Sequence, residues 1–236
     1  MVQGTQIRRL ATLFLTAMPF ALLAPGQTVQ PLIVEYSGTA HGKFELINNS
    51  LKPINVILEP RSFQVTEDGD GVYGPLSKDI HLKLSAMSVR IPPLQGRFVF
   101  YEVRADTLPA WCVIYSVFAQ HPPEASLNIE ISLPHTIYLL QKQPLERQDV
   151  TVESFVYDSK ARKVVVMLAN HSSNLGRAVE WQVKGPHFQN GGSGFPLLPG
   201  NRRRLEMPWE GQGPPATLAV RFQHFTLKEA MNGRSQ

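Results

Sequence analysis

The chain has 236 residues, of which 43% are hydrophobic and 18% charged, with a formal net charge of +4. That composition excludes bulk disorder and is long enough for one large domain or two of about 100 residues each. Two of the cations, Arg8 and Arg9, fall in a segment expected to be removed, so the remaining field is too weak to steer nucleic acid or an anionic membrane.

Residues 1–26 read as a secretory signal peptide. Arg8 and Arg9 supply the basic end, residues 10–23 are apolar except at Thr12, Thr16 and Pro19, and Ala24-Pro25-Gly26 offers small residues for cleavage. The apolar run is shorter than the 20 or so residues a spanning helix needs, and later apolar runs are broken by Pro or charge, so no stable membrane anchor is expected. An exported, periplasmic location follows. An uncleaved N-terminal anchor is the alternative.

From residue 27 onward, runs of five to nine β-branched and aromatic residues alternate with Gly, Pro, Asn or Asp, the grammar of short antiparallel strands. Residues 43–47, 54–58, 97–103 and 111–118 are examples. In residues 127–133, Ile129, Ile131 and Leu133 share one face while Asn128, Glu130 and Ser132 share the other. Proline is spread along the whole chain, which excludes long helices. An internal repeat joins Phe44-Glu45-Leu46-Ile47-Asn48-Asn49-Ser50 to Val166-Met167-Leu168-Ala169-Asn170-His171-Ser172, each ending in Asn-x-Ser at a turn and followed by another strand-like run. The expected fold is therefore all-β, two tandem immunoglobulin-like β-sandwiches at residues 27–143 and 144–236, divided in the polar stretch around Pro144.

Chemistry-bearing motifs are sparse. The only cysteine, Cys112, excludes an intrachain disulfide and reads as a buried, inert thiol. Seven dispersed histidines give no metal-ligand spacing, so no metal or other cofactor is expected. Glu67-Asp68-Gly69-Asp70-Gly71 reads as an acidic β-turn because it lacks the length and terminal Glu of a calcium loop. Gly191-Gly192-Ser193-Gly194 reads as a flexible hairpin loop, lacking both the glycine spacing and the helix of a phosphate cradle. Arg202-Arg203-Arg204 reads as a solvated turn after Pro199-Gly200, with a polyanion contact as the alternative. With no catalytic constellation, the chain is expected to bind other proteins and not to be an enzyme.

Several stretches resemble the periplasmic pilus chaperones of the PapD type, whose fold is an immunoglobulin-like sandwich. Residues 43–56 resemble that family's strand, Asn turn and Pro-containing next strand; residues 89–98 its proline turn. Residues 111–141 resemble its long hairpin of strands F and G, and residues 163–170, 195–203 and 218–222 parts of its second domain. The resemblance implies a pilus-assembly chaperone that completes an unfinished β-sandwich subunit with its own strand G. It implies a secreted β-sandwich subunit as partner and an outer-membrane usher as a second candidate partner. The matching donor-strand residues are Ile129, Ile131 and Leu133, with Ile137 continuing the strand; the other reading of this face is that it covers its own core. Lys142 is the candidate basic residue at the domain junction. The family's carboxylate-anchoring Arg and Lys are replaced: residues 32–36 contain no Arg, and the strand-G position is Tyr138. An extracellular structural or adhesive immunoglobulin-like module is the alternative function.

Overall fold

The computed structural model describes residues 26–120 and 129–231, without the side chains of Gln120 and Ile129. Apart from Gly26, the expected signal peptide lies outside the described residues, as does the Pro122-Pro123 turn. The described residues contain strands and one short 3-10 helix, as the alternating pattern and dispersed prolines require.

The first ten strands are β1 (Thr28–Gln30), β2 (Ile33–Ser37), β3 (Ala40–Asn48), β4 (Ile54–Val65), β5 (Gly71–Pro75), β6 (Ile80–Leu84), β7 (Ser88–Ile91), β8 (Gln95–Ala105), β9 (Ala110–Gln120) and β10 (Ile129–Leu140). They form two facing sheets, β1-β3-β8-β6 and β2-β10-β9-β4-β5, with β7 also on β4. The N-terminal segment serves both sheets. β1 pairs with β3, the chain crosses at Pro31-Leu32, and β2 then runs parallel to β10. Alternate residues point inward, so Phe44 and Leu46 meet Val56, Leu58, Ile114, Phe118 and Ile137 in one dry core. Burying each of these side chains stabilises the fold by about 1.5–3 kcal/mol.

A 3-10 turn at Arg147–Asp149 leads into β11 (Val150–Asp158), β12 (Lys163–Asn170), β13 (Gly176–Lys184), β14 (Gln189–Ser193), β15 (Pro196–Leu197), β16 (Arg202–Pro208), β17 (Thr217–Phe222) and β18 (Thr226–Ala230). These make the sheets β11-β12-β16 and β14-β13-β17-β18, with β15 on β13. Between them lie Leu168, Val183, Leu218, Val220 and Trp209. Two sequence readings are corrected here. The glycine-rich segment is not a free loop but the edge strand β14, with Gly191 and Gly192 opposite Gln182 and Trp181. A Cβ on Gly191 would stand 2.3 Å from the Trp181 carbonyl, so the glycines permit close backbone approach. The triple arginine is not a turn but the start of β16.

The internal repeat holds in three dimensions. Asn48 is buried, and its Nδ2 donates to the carbonyls of Lys52, Ile91 and Pro92 while Oδ1 accepts from the Ser50 N–H and Oγ. Asn170 does the same with the carbonyls of Asn174, Leu197 and Leu198 and with Ser172. In each sandwich one amide thus gathers three carbonyls at the turn and the ends of neighbouring short strands.

Candidate functional site

The site is built on the partly covered edge of β10. β10 is twelve residues long and pairs with β9 along most of its length. Its other edge is covered by β2 only from Thr136 to Leu140. Among the described residues no strand pairs with that edge from Ile129 to Pro134, a stretch of roughly 20 Å at strand rise. Backbone groups alternate sides along a strand. Thr136 N–H donates to the Leu32 carbonyl at 2.7 Å on the β2 side, so Glu130 and Ser132 direct their N–H groups to that same side. Pro134 would do so too, and its missing N–H therefore costs no bond to β9.

Side-chain placement follows the alternation. Ile131, Leu133, His135, Ile137 and Leu139 lie on the face toward the core, and Glu130 and Ser132 lie on the other. Along the inward row exposure falls steadily: Ile131 is 36% exposed, Leu133 is half-buried against the core, and Ile137 and Leu139 are sealed in it. Ile129 begins the open edge, its side chain lying outside the described residues. Ile137 therefore corrects the sequence expectation: it is fully buried in its own sandwich, beneath the part of the edge that β2 covers, and cannot enter another molecule. The face divides by position, partly exposed on an edge without a described partner before Pro134 and core-filling after it.

At the other end of β10 the two sandwiches meet. Tyr138 stands opposite Glu35 in the β2–β10 ladder and is buried with Phe63, Val113, Leu175 and Leu198 in an apolar contact between the sandwiches. Burial pushes the Tyr138 hydroxyl up to about 12. Glu35 in turn accepts a charge-assisted hydrogen bond from Arg177 of β13. Gln141 adds two bonds to the Leu175 backbone, at 3.1 Å each. Lys142 is exposed and lines the adjoining cavity of about 470 Å³ together with Glu35, Arg177 and His224.

The acidic turn and the basic run, read separately in sequence, meet on the far side of this junction. The tip of the β4–β5 hairpin reaches β16, where Arg204 N–H donates to the Glu67 carbonyl at 2.7 Å. Arg202 pairs with Glu67 at 3.4 Å and Arg204 with Asp68 at 3.3 Å. Arg203 packs over the Phe195 ring against Gly69, whose positive φ of 98° and missing side chain make room for it. No metal-capable group of three or more His, Cys, Asp or Glu converges among the described residues. No helix there is long and apolar enough to cross a membrane. Sequence reasoning missed Glu35, His135 and Arg177 as junction or edge residues, because each acquires its role from a partner more than 100 positions away.

No family model matches the chain, and no curated protein matches it either. Solved structures do resemble it. The CupB2 chaperone of Pseudomonas aeruginosa is 11% identical, with 87% of this chain and 100% of that one covered and a TM-score of 0.53. The E. coli chaperone DraB is 12% identical, covering 87% and 98%, with a TM-score of 0.52. A chain from the complex of the Salmonella enterica SafA pilin with the SafB chaperone is 11% identical, covering 87% and 96%, with a TM-score of 0.53. The protein accordingly has the all-β, tandem immunoglobulin-like fold of the fimbrial chaperones.

Proposed function

We propose that this protein is an exported chaperone for pilus or coat subunits, and that it binds an incomplete β-sandwich through the open edge of β10. The observation that carries this reading is the edge itself: backbone N–H groups at Glu130 and Ser132 without a strand partner among the described residues, beside a row of aliphatic side chains that emerges from the core at Leu133 and Ile131. A subunit lacking a strand has the complementary deficit, an apolar groove and unpaired backbone, both costly in water. Joining the two completes one ladder and buries both rows at once, which is binding without chemistry.

The junction bears on what the edge can hold. Residues 32–36 carry no Arg and Tyr138 stands at the strand-G position where the resembling family carries its Lys anchor; Glu35 is bonded to Arg177 and Tyr138 is buried in the apolar contact between the sandwiches. In this proposal register comes from the aliphatic row and not from an anchored carboxylate. Residues 27–143 and 144–236 act as the two working domains, with the cleft beside Lys142 between them.

The test is co-expression with a signal-bearing β-sandwich subunit that lacks its last strand, taken from the same gene cluster. The mature protein is expected to co-elute with it as a one-to-one complex, and Ile131→Asp is expected to weaken the complex by about a hundredfold by placing a charge in the groove. Undiminished complex formation by a folded Ile131→Asp protein would exclude strand donation through this face. A mature protein that elutes alone whenever the subunit is present would favour an extracellular adhesive module.

A further inference from the structure

His135 is buried completely, and it sits where β10 changes from an open edge to a covered one. Its Nδ1 lies 2.6 Å from the carbonyl of Pro31, in the segment that crosses from β1 to β2. A carbonyl can only accept, so Nδ1 carries the proton and donates. In the neutral ring Nε2 is then a bare acceptor, and it has no hydrogen-bond partner among the described residues. The ring is stacked on Phe44 at 4.6 Å and tilted against Tyr101 at 5.2 Å, and its register partner across the ladder is Ile114. One side-chain bond thus ties the crossover to β10, immediately before Thr136 N–H bonds Leu32 and the parallel ladder begins.

We propose that His135 is a proton-operated clasp: neutral, it holds the N-terminal crossover against β10 and keeps β2 over the second half of that edge; protonated, it releases the crossover and lengthens the open edge. Protonation adds a hydrogen at Nε2 and a full positive charge, with neither an acceptor nor a carboxylate to receive them. The titratable group against the ring is Tyr101 on β8, whose hydroxyl bonds that of Tyr36 on β2 at 2.9 Å; Cys112 on β9 lies in the same core. Burial raises Tyr101 and Cys112 well above their ordinary values, so neither supplies a compensating negative charge. On β3 the facing residue is Phe44, while Lys43 and Glu45 lie on the opposite face of that strand.

The direction of the effect follows from linkage. Burial lowers the His135 pKa from its ordinary value of about 6.5, opposed only by the Pro31 bond. The released state therefore takes up a proton at a higher pH than the clasped state does. The clasp's contribution is complete above about pH 6.5 and is lost as pH falls below it, by up to about tenfold in the opening equilibrium per pH unit. The clasp stands on the fold; only its consequence for a held subunit rests on the donor-edge proposal.

Hydrogen exchange of the mature protein at about pH 7.5 and about pH 5, corrected for intrinsic rates, reads the release directly. Protection across residues 27–37 is expected to fall about tenfold or more at the lower pH, while residues 163–170 of the second sandwich hold theirs. His135→Gln, which keeps an amide donor for Pro31 but does not titrate, is expected to remove the pH dependence. Should that variant fail to fold, the imidazole resonances of the unaltered protein decide. A His135 midpoint below about 6.5 that coincides with the change in exchange supports the clasp. Equal protection at both pH values, the same loss in His135→Gln, or a midpoint at or above the ordinary value would overturn it. Loss of protection without any subunit capture would leave the clasp standing and remove the donor-edge proposal alone.

Discussion

The two sandwiches use the same corner and finish their edges differently. Asn48 and Asn170 make matching bond sets, down to the serine two residues later. In the second sandwich one sheet ends in β14 and β18, five residues each, the first rich in glycine and the second carrying Lys228 and Glu229; the other sheet ends in β11, whose register shifts between Val152 and Ser154, and in β16, which opens on three arginines. In the first, β10 runs for twelve residues, and among the described residues no strand pairs with its second edge from Ile129 to Pro134. The corners are common to both sandwiches, and the difference lies in how each sheet edge is finished.

That comparison can be broken at several points. The largest effect is expected at the corners. Asn48→Ala strands three carbonyls and a serine, and Asn170→Ala does likewise, each costing about 3 kcal/mol or more. Denaturant unfolding followed separately by exchange in each sandwich should show the loss confined to the mutated half; equal loss in both would mean the corners are not independent. Next comes the edge. Ile131→Asp should weaken subunit binding roughly hundredfold, about 2.7 kcal/mol, while leaving the unfolding midpoint nearly unchanged, because the side chain is already 36% exposed. A large stability loss would return Ile131 to the core and make the two sandwiches more alike than described. The junction should be less sensitive. Gly69→Ala places a Cβ in the Arg203 guanidinium at a positive φ and is expected to cost about 1–2 kcal/mol, read as altered spacing of the sandwiches by small-angle scattering and as a lower midpoint. Smallest of all, Asp68→Asn removes an exposed 3.3 Å ion pair with Arg204 and should shift stability by no more than about 0.5 kcal/mol, vanishing at high salt.

Much of the architecture was legible in the sequence because it depends on period and punctuation. The alternation in residues 43–47, 97–103 and 127–133 placed β3, β8 and the start of β10, and the paired Asn-x-Ser motifs located equivalent corners. Strand ends were less legible: β4 continues seven residues beyond Leu58, through Pro60, because cross-strand partners in β9 and β5 carry it past the proline. At the site, Ile131 and Leu133 could be named from alternation, whereas the limit at Ile137 could not. It depends on β2 returning beside β10, a pairing over about a hundred residues of chain. The same holds for Arg202 and Arg204, whose carboxylate partners Glu67 and Asp68 lie more than 130 positions away. Two runs of opposite sign were the available signal, and only the fold shows that they meet.

Pro134 sets a ceiling on adhesion. With its nitrogen unable to donate, the described open segment presents two amide hydrogens, those of Glu130 and Ser132, to whatever docks beside it. On the donor-edge reading, a guest held without this one main-chain donor can be taken over by a strand that offers the full set. Two copies of the protein lying edge to edge would meet the same missing donor, so Pro134 also disfavours self-association along this edge.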